Sequence, residues 1–191
     1  MNIKKISILT IVFVLITVLA ITATMLLSDK QPEYDKYMHI SGSYTYVSPE
    51  DLYKNADLIA TCTFTGKSNT VYSDSSYELS ETFPVFTDLI FEANEIIKGE
   101  SDKEIYIRYV GGGKGDTFYV SSGYENFKKG QQYFIYLLKS ESNRKDDNTN
   151  YIIVGGETGC FEINNNILSN TGRTKEDLQK IQEFYNSAVI D

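Results

Sequence analysis

Hydrophobic and polar positions divide the chain into one long apolar run and a series of short alternating ones. Residues 6–27 follow Lys4 and Lys5 and carry no charge, and their apolar core reads ILTIVFVLITVLAITATMLL. A helix that crosses the hydrocarbon layer needs about 20 mainly apolar residues, whereas a secretory h-region has about 7–15. The length predicts a retained transmembrane anchor. The lysines on its amino side favour a cytoplasmic N-terminus, with everything from Asp29 onward outside. Cleavage after Ala23, with secretion, is the alternative, although Ile21 stands where a signal peptidase prefers a small residue. No cysteine follows the run to take a lipid, and no wall-sorting motif is visible.

After a polar, tyrosine-dotted linker over 29–47, Ser48-Pro49-Glu50-Asp51 predicts a short helix. Ser48 is the N-cap, Pro49 sits at the first helical position, and two acids face the positive end of the dipole. Strands are expected over 58–65, closed by Gly66, and over 83–97, with a bend near 91–94 and a Lys98-Gly99-Glu100 turn. Residues 104–110 alternate, with Ile105, Ile107 and Tyr109 on one face. Further short strands are expected over 117–120, 131–138, 151–154, 159–163 and 167–168. Loops are expected over 67–82, 111–116 and 140–150. Thr174 caps a last helix whose apolar face is Leu178, Ile181, Phe184 and Tyr185. About seven short strands with a helix at each end predict a mainly β (α+β) domain, a small antiparallel barrel. The organisation is an anchor or signal over 1–28, a linker over 29–47 and an extracytoplasmic barrel domain over 48–191.

Charge narrows the partners. The chain carries a net −8, and without Lys4 and Lys5 the remainder has 16 basic against 26 acidic residues, a balance of −10. Such a surface repels nucleic acid, anionic headgroups and phosphopolymers. The single histidine, His39, lies in the linker, which leaves few of the usual hydrolytic and metal chemistries. No metal or cofactor is expected. Cys62 and Cys160 sit where a disulfide is permitted, but parity turns Cys62 inward and puts Cys160 with Glu162 on the outer face, so two free thiols are expected.

Candidate sites are few. The glycine run Gly111, Gly112, Gly113, Lys114, Gly115 lacks the hydroxyl residue that a phosphate loop places after its lysine. It reads as an inter-strand loop whose backbone a partner can approach closely. With Tyr119 and Tyr106 it forms the candidate binding surface, tyrosine being suited to stack on sugars or anchor an interface. Glu92 with Glu95, Asp146 with Asp147, and Glu157 in the Gly155–Gly159 corner are candidate carboxylates, none with calcium-loop spacing.

Several segments together resemble a family of uncharacterised surface proteins from Gram-positive bacteria. They are Ser48-Pro49-Glu50-Asp51-Leu52 with Ala56-Asp57-Leu58-Ile59; Ile96-Ile97-Lys98-Gly99; the stretch from Phe127-Lys128-Lys129-Gly130 to Leu137; and Tyr151 to Gly156 through Gly159-Cys160-Phe161. The resemblance covers most of 48–168. It implies an OB-fold-like barrel, distantly similar to the netrin/tissue-inhibitor module. The chain lacks that module's N-terminal cysteine and its disulfide frame, so no functional residue is carried over. The expectation is a membrane-anchored binding module without catalysis, whose partner is an envelope protein or glycan. The alternative is an envelope-glycan hydrolase using carboxylates such as Glu95 or Glu157.

Overall fold

In the computed structural model, Ser48 opens a helix as its chemistry requires. Its side chain accepts from the Asp51 backbone N–H at 3.1 Å, and Pro49 begins α1 (Pro49–Asn55). The structure describes residue 13 and residues 34–40, 46–72, 85–121, 127–140 and 150–190. The chain divides into two compact units, Met1–Tyr34 and Asp35–Asp191. In the first, Phe13 is helical; the rest of the apolar run over 6–27 lies outside the described residues. Among the described residues no helix is long and apolar enough to cross a membrane.

The second unit is mainly β with two helices. Its strands are β1 (Lys36–Ile40), β2 (Leu58–Tyr72), β3 (Val85–Lys98), β4 (Glu104–Val110), β5 (Gly112–Lys114), β6 (Thr117–Ser121), β7 (Gln132–Lys139), β8 (Asn150–Ile153), β9 (Cys160–Asn164) and β10 (Ile167–Ser169). Thr174 caps α2 (Lys175–Tyr185) by accepting from Asp177 N–H. One sheet runs β10-β9-β7-β2-β3-β4-β8, and β8 also pairs with β7. The β4–β8 pairing is parallel; the other pairings of this sheet are antiparallel. β7 divides its free side between two partners: Tyr133 to Ile135 pair with β9, and Leu137 to Lys139 pair with β8. β8 therefore bridges β4 and β7 at one end of a curled sheet, and at the other end β7 turns away to β9.

Both faces of the central strands are covered, so Leu58, Ile59 and Ala60 are all fully buried. Leu58, Ala60, Cys62, Phe91, Ile105, Ile107, Tyr133 and Ile135 form the inner cluster. Ile59, Phe134, Tyr136 and Phe161 form the outer one, beneath Leu52 of α1 and Ile181 and Tyr185 of α2.

Four expectations are corrected. The second strand does not stop at Gly66: the register jumps from Phe64↔Phe91 to Lys67↔Ile90, a bulge at Thr65-Gly66, and pairing continues to Tyr72. Gly66 takes φ +76°, which the bulge requires. The glycine run is not a free loop, since 112–114 pair with β6. Part of the linker is structured, because Lys36–Ile40 pair in parallel with Thr117–Ser121. Cys160 is not on an open outer face; half-buried, it packs against the inner cluster, the same face as Cys62. The expected bend near 91–94 is a second bulge, where Thr61↔Glu95 and Cys62↔Ala93 leave Asn94 unpaired in the ladder.

Both cysteines are free. Cys62 pairs with Tyr133 on one side of β7 and Cys160 with Ile135 on the other. Two strand spacings come to about 10 Å, beyond the roughly 7 Å Cα separation that a disulfide spans.

Candidate functional site

The turn before β7 decides what fills the open end of the curl. Gly130 N–H donates to Phe64 O at 2.8 Å and Gln131 N–H to Lys128 O at 3.0 Å, which fixes the turn against β2. Lys128 N–H then donates to the Tyr133 hydroxyl at 2.9 Å. This places the Phe127 ring across the opening, with centroids 5.0 Å from Tyr133, 5.2 Å from Phe91 and 5.8 Å from Tyr109, all edge-on. Edge-to-face packing suits the ring quadrupoles and leaves parts of Phe127 and Tyr109 uncovered.

Above these rings lies a cleft of about 360 Å3, floored by Tyr109, Phe127, Tyr133 and Cys160. Lys128, Glu157, Glu162 and residues 169–172 form its rim. The rim is held from behind. Asn170 donates to Glu157 O and Cys160 O at 2.8 and 2.6 Å and accepts from Gly172 N–H at 2.7 Å. Arg173, buried, donates through Nε to Thr158 O at 2.8 Å and through a terminal nitrogen to Val47 O. Lys128 Nζ sits 3.3 Å from Glu162 Oε1 across the mouth. Glu157 stands exposed on the 3-10 turn Gly156–Gly159.

The titration of the floor argues against nucleophilic chemistry. Burial pushes the Cys160 thiol well above its ordinary range, and Cys62 and Glu162 add to the effect. Burial also raises the Tyr133 phenol, partly offset by the Lys128 N–H. A thiol held protonated is a weak nucleophile. Among the described residues no group of three or more His, Cys, Asp or Glu is arranged to hold a metal ion.

The glycine run, Lys114, Tyr119 and Tyr106, singled out from sequence as a binding surface, lie elsewhere and do not form one surface. Gly111, Gly112 and Gly113 are buried. Gly111 N–H donates to Val85 O, its carbonyl accepts from Thr87 Oγ1 at 2.7 Å, and a Cβ on Gly112 would lie 2.5 Å from that hydroxyl. The glycines thus let β5 approach β3, with φ near +127° and +128° that other residues rarely adopt. Lys114 is exposed, and Tyr119 is half-buried opposite Gly112. Tyr106 is further along β4, opposite Ile90, where it donates to Glu104 at 2.9 Å and lines a second recess with Glu100, Asp102, Lys103, Lys139 and Tyr151.

Glu92 and Glu95 stand opposite Thr63 and Thr61 and line neither recess; Glu92 is tied to Lys103 at 2.9 Å. Asp146 and Asp147 lie outside the described residues. Of the candidates, Glu157 alone lines the cleft. Phe127 and Asn170 went unnoticed as site residues, and Cys160 was weighed only as half of a disfavoured disulfide; the one available signal was a phenylalanine set directly before a Lys-Lys-Gly turn. No protein-family model matches the chain, and no curated protein is significantly similar to it in sequence.

Proposed function

We propose that this chain is a membrane-anchored, extracytoplasmic binding module without catalysis, built on an OB-like barrel and akin to the Gram-positive surface proteins it resembles. The observation that carries the reading is the cleft at the open end, where an aromatic floor meets a fixed polar rim and the thiol is held protonated. Largely apolar concavities with a few placed polar groups are the common form of a binding site. Support for the barrel comes from the succession β2, β3, β4, β8, β7, back to β2, with β4 and β8 parallel. The anchor rests on the uncharged run over 6–27 and the two lysines before it.

The test uses the full chain in its own cells with a photo-cross-linking residue at exposed Thr171 on the cleft rim. The expected result is a chain retained in carbonate-washed membranes, digested by protease added outside, and cross-linked to one envelope component. Recovery from the cytosolic fraction would overturn the anchor and the location. Release of reducing ends from purified wall glycan by the full chain would overturn the absence of catalysis.

A further inference from the structure

The cleft's construction also indicates what it takes. We infer that its ligand is a short neutral saccharide lying on Tyr109 and Phe127 and hydrogen-bonded by the Glu157 and Glu162 carboxylates; this rests on the cleft being the binding site. Three observations select that chemistry. The volume, about 360 Å3, falls near the low end of small-ligand sites, which span about 300–1,000 Å3. It suits a short saccharide better than a folded partner.

The floor and rim demand different things of the same ligand. Tyr109 and Phe127 offer partly uncovered rings, and Glu157 and Glu162 offer acceptors above them. A pyranose satisfies both at once, with a C–H face for the rings and hydroxyl donors at its edge. A purely apolar ligand would strip water from the carboxylates without replacing their hydrogen bonds. An anionic polymer meets two carboxylates and one lysine already paired to Glu162, in a chain of net negative charge.

A peptide added as a strand needs an open backbone edge. Along β9, which forms the wall here, Cys160–Glu162 pair with β7, Glu162–Asn164 pair with β10, and the Cys160 carbonyl accepts from Asn170, which leaves little of that edge to a peptide.

The experiment places 4-fluorophenylalanine at position 127 of the full chain, carried in phospholipid nanodiscs so that no glycosidic detergent competes. Tetra-N-acetylchitotetraose, cellotetraose and a neutral acetylated tetrapeptide are titrated in turn while the fluorine resonance is followed. The expected result is a saturable shift with at least one saccharide, none with the peptide, and about tenfold weaker binding in Glu157→Gln, the cost of a hydrogen bond to a charged acceptor. Glu157 is exposed and its carboxylate bears no described structural role, so this variant keeps the fold. A shift with the peptide and none with either saccharide would overturn the ligand class while leaving the cleft as a binding site. No response to any probe at millimolar concentration would overturn both.

Discussion

Asp88 and Arg108 show how much one cross-strand pair can carry. They stand directly opposite on β3 and β4, joined by two bonds of 2.9 and 3.2 Å, with side chains 1% and 8% exposed. Fork-to-carboxylate geometry recovers part of the desolvation cost, and the guanidinium also lies 5.8 Å from the Phe86 ring. Breaking one side of such a buried pair costs about 3–5 kcal/mol, whereas replacing both by apolar groups is close to neutral. Arg108→Met should therefore lower unfolding free energy by about that amount in urea titration, and Asp88→Leu/Arg108→Met should recover most of it. Equal stability of the single variant and the parent chain would show that the pair is not the strong contact its burial implies.

At the level of elements, α2 does two jobs. Its apolar face buries Ile181 and Tyr185 against the outer cluster, and its polar side closes the sheet's short edge. Gln182 accepts from Leu168 N–H at 2.7 Å and donates to Asn166 O at 3.0 Å, which occupies backbone groups of β10 and of the turn before it that would otherwise invite another strand. The helix start depends on Thr174, whose hydroxyl accepts from Asp177 N–H at 3.2 Å. The Asp177 carboxylate takes a bond from the Tyr46 hydroxyl at 3.1 Å, so the cap also seats the segment that leads into α1. Thr174→Ala should cost about 1 kcal/mol by thermal melting, with Thr174→Ser near neutral. A Thr174→Ala melt that overlays the parent would mean the packing of Ile181 and Tyr185 holds the helix start without its cap.

For the molecule as a whole, burial of phenols and thiols sets the response to alkali. Burial raises Tyr136, Tyr133, Tyr151 and Tyr185, and likewise Cys62 and Cys160. Below their ordinary values, 9.0 for cysteine and 10.0 for tyrosine, these groups are neutral in both folded and unfolded chains and the folded state loses nothing. Above those values the unfolded chain releases protons that the folded chain keeps, so stability falls as pH rises. On the acid side Glu92 and Asp116 are held below the usual carboxylate range by Lys103 and Lys36. Their contribution disappears as pH falls below 4.5 and 3.8, and it is small because all four groups are exposed. The melting temperature should stay level up to pH 9.0 and then drop steadily towards about pH 11. A level profile across that alkaline range would contradict the buried placement of these side chains.

Cap chemistry and short-range alternation are local, and they were legible from residues alone. Ser48 and Thr174 open the helices where expected, 104–110 alternates as a strand, and Asn165-Asn166 turn with φ +51° and +63° between β9 and β10. Of the candidate site, the exposed Glu157 in its glycine corner was visible, but nothing local joined it to Phe127, Cys160 and Glu162, which come from separate turns and strands. Parity correctly put Cys160 on the same face as Glu162, yet could not tell that this face is the inner one, because a period of two orders side chains without saying which side is covered. Likewise Gly66 signals a break, but whether it ends a strand or bulges within one depends on whether β3 continues opposite it. Local chemistry thus determined which residues start, stop and alternate. Long-range pairing alone, above all the division of β7 between β8 and β9, decided where the sheet stays open and so where the candidate cleft lies.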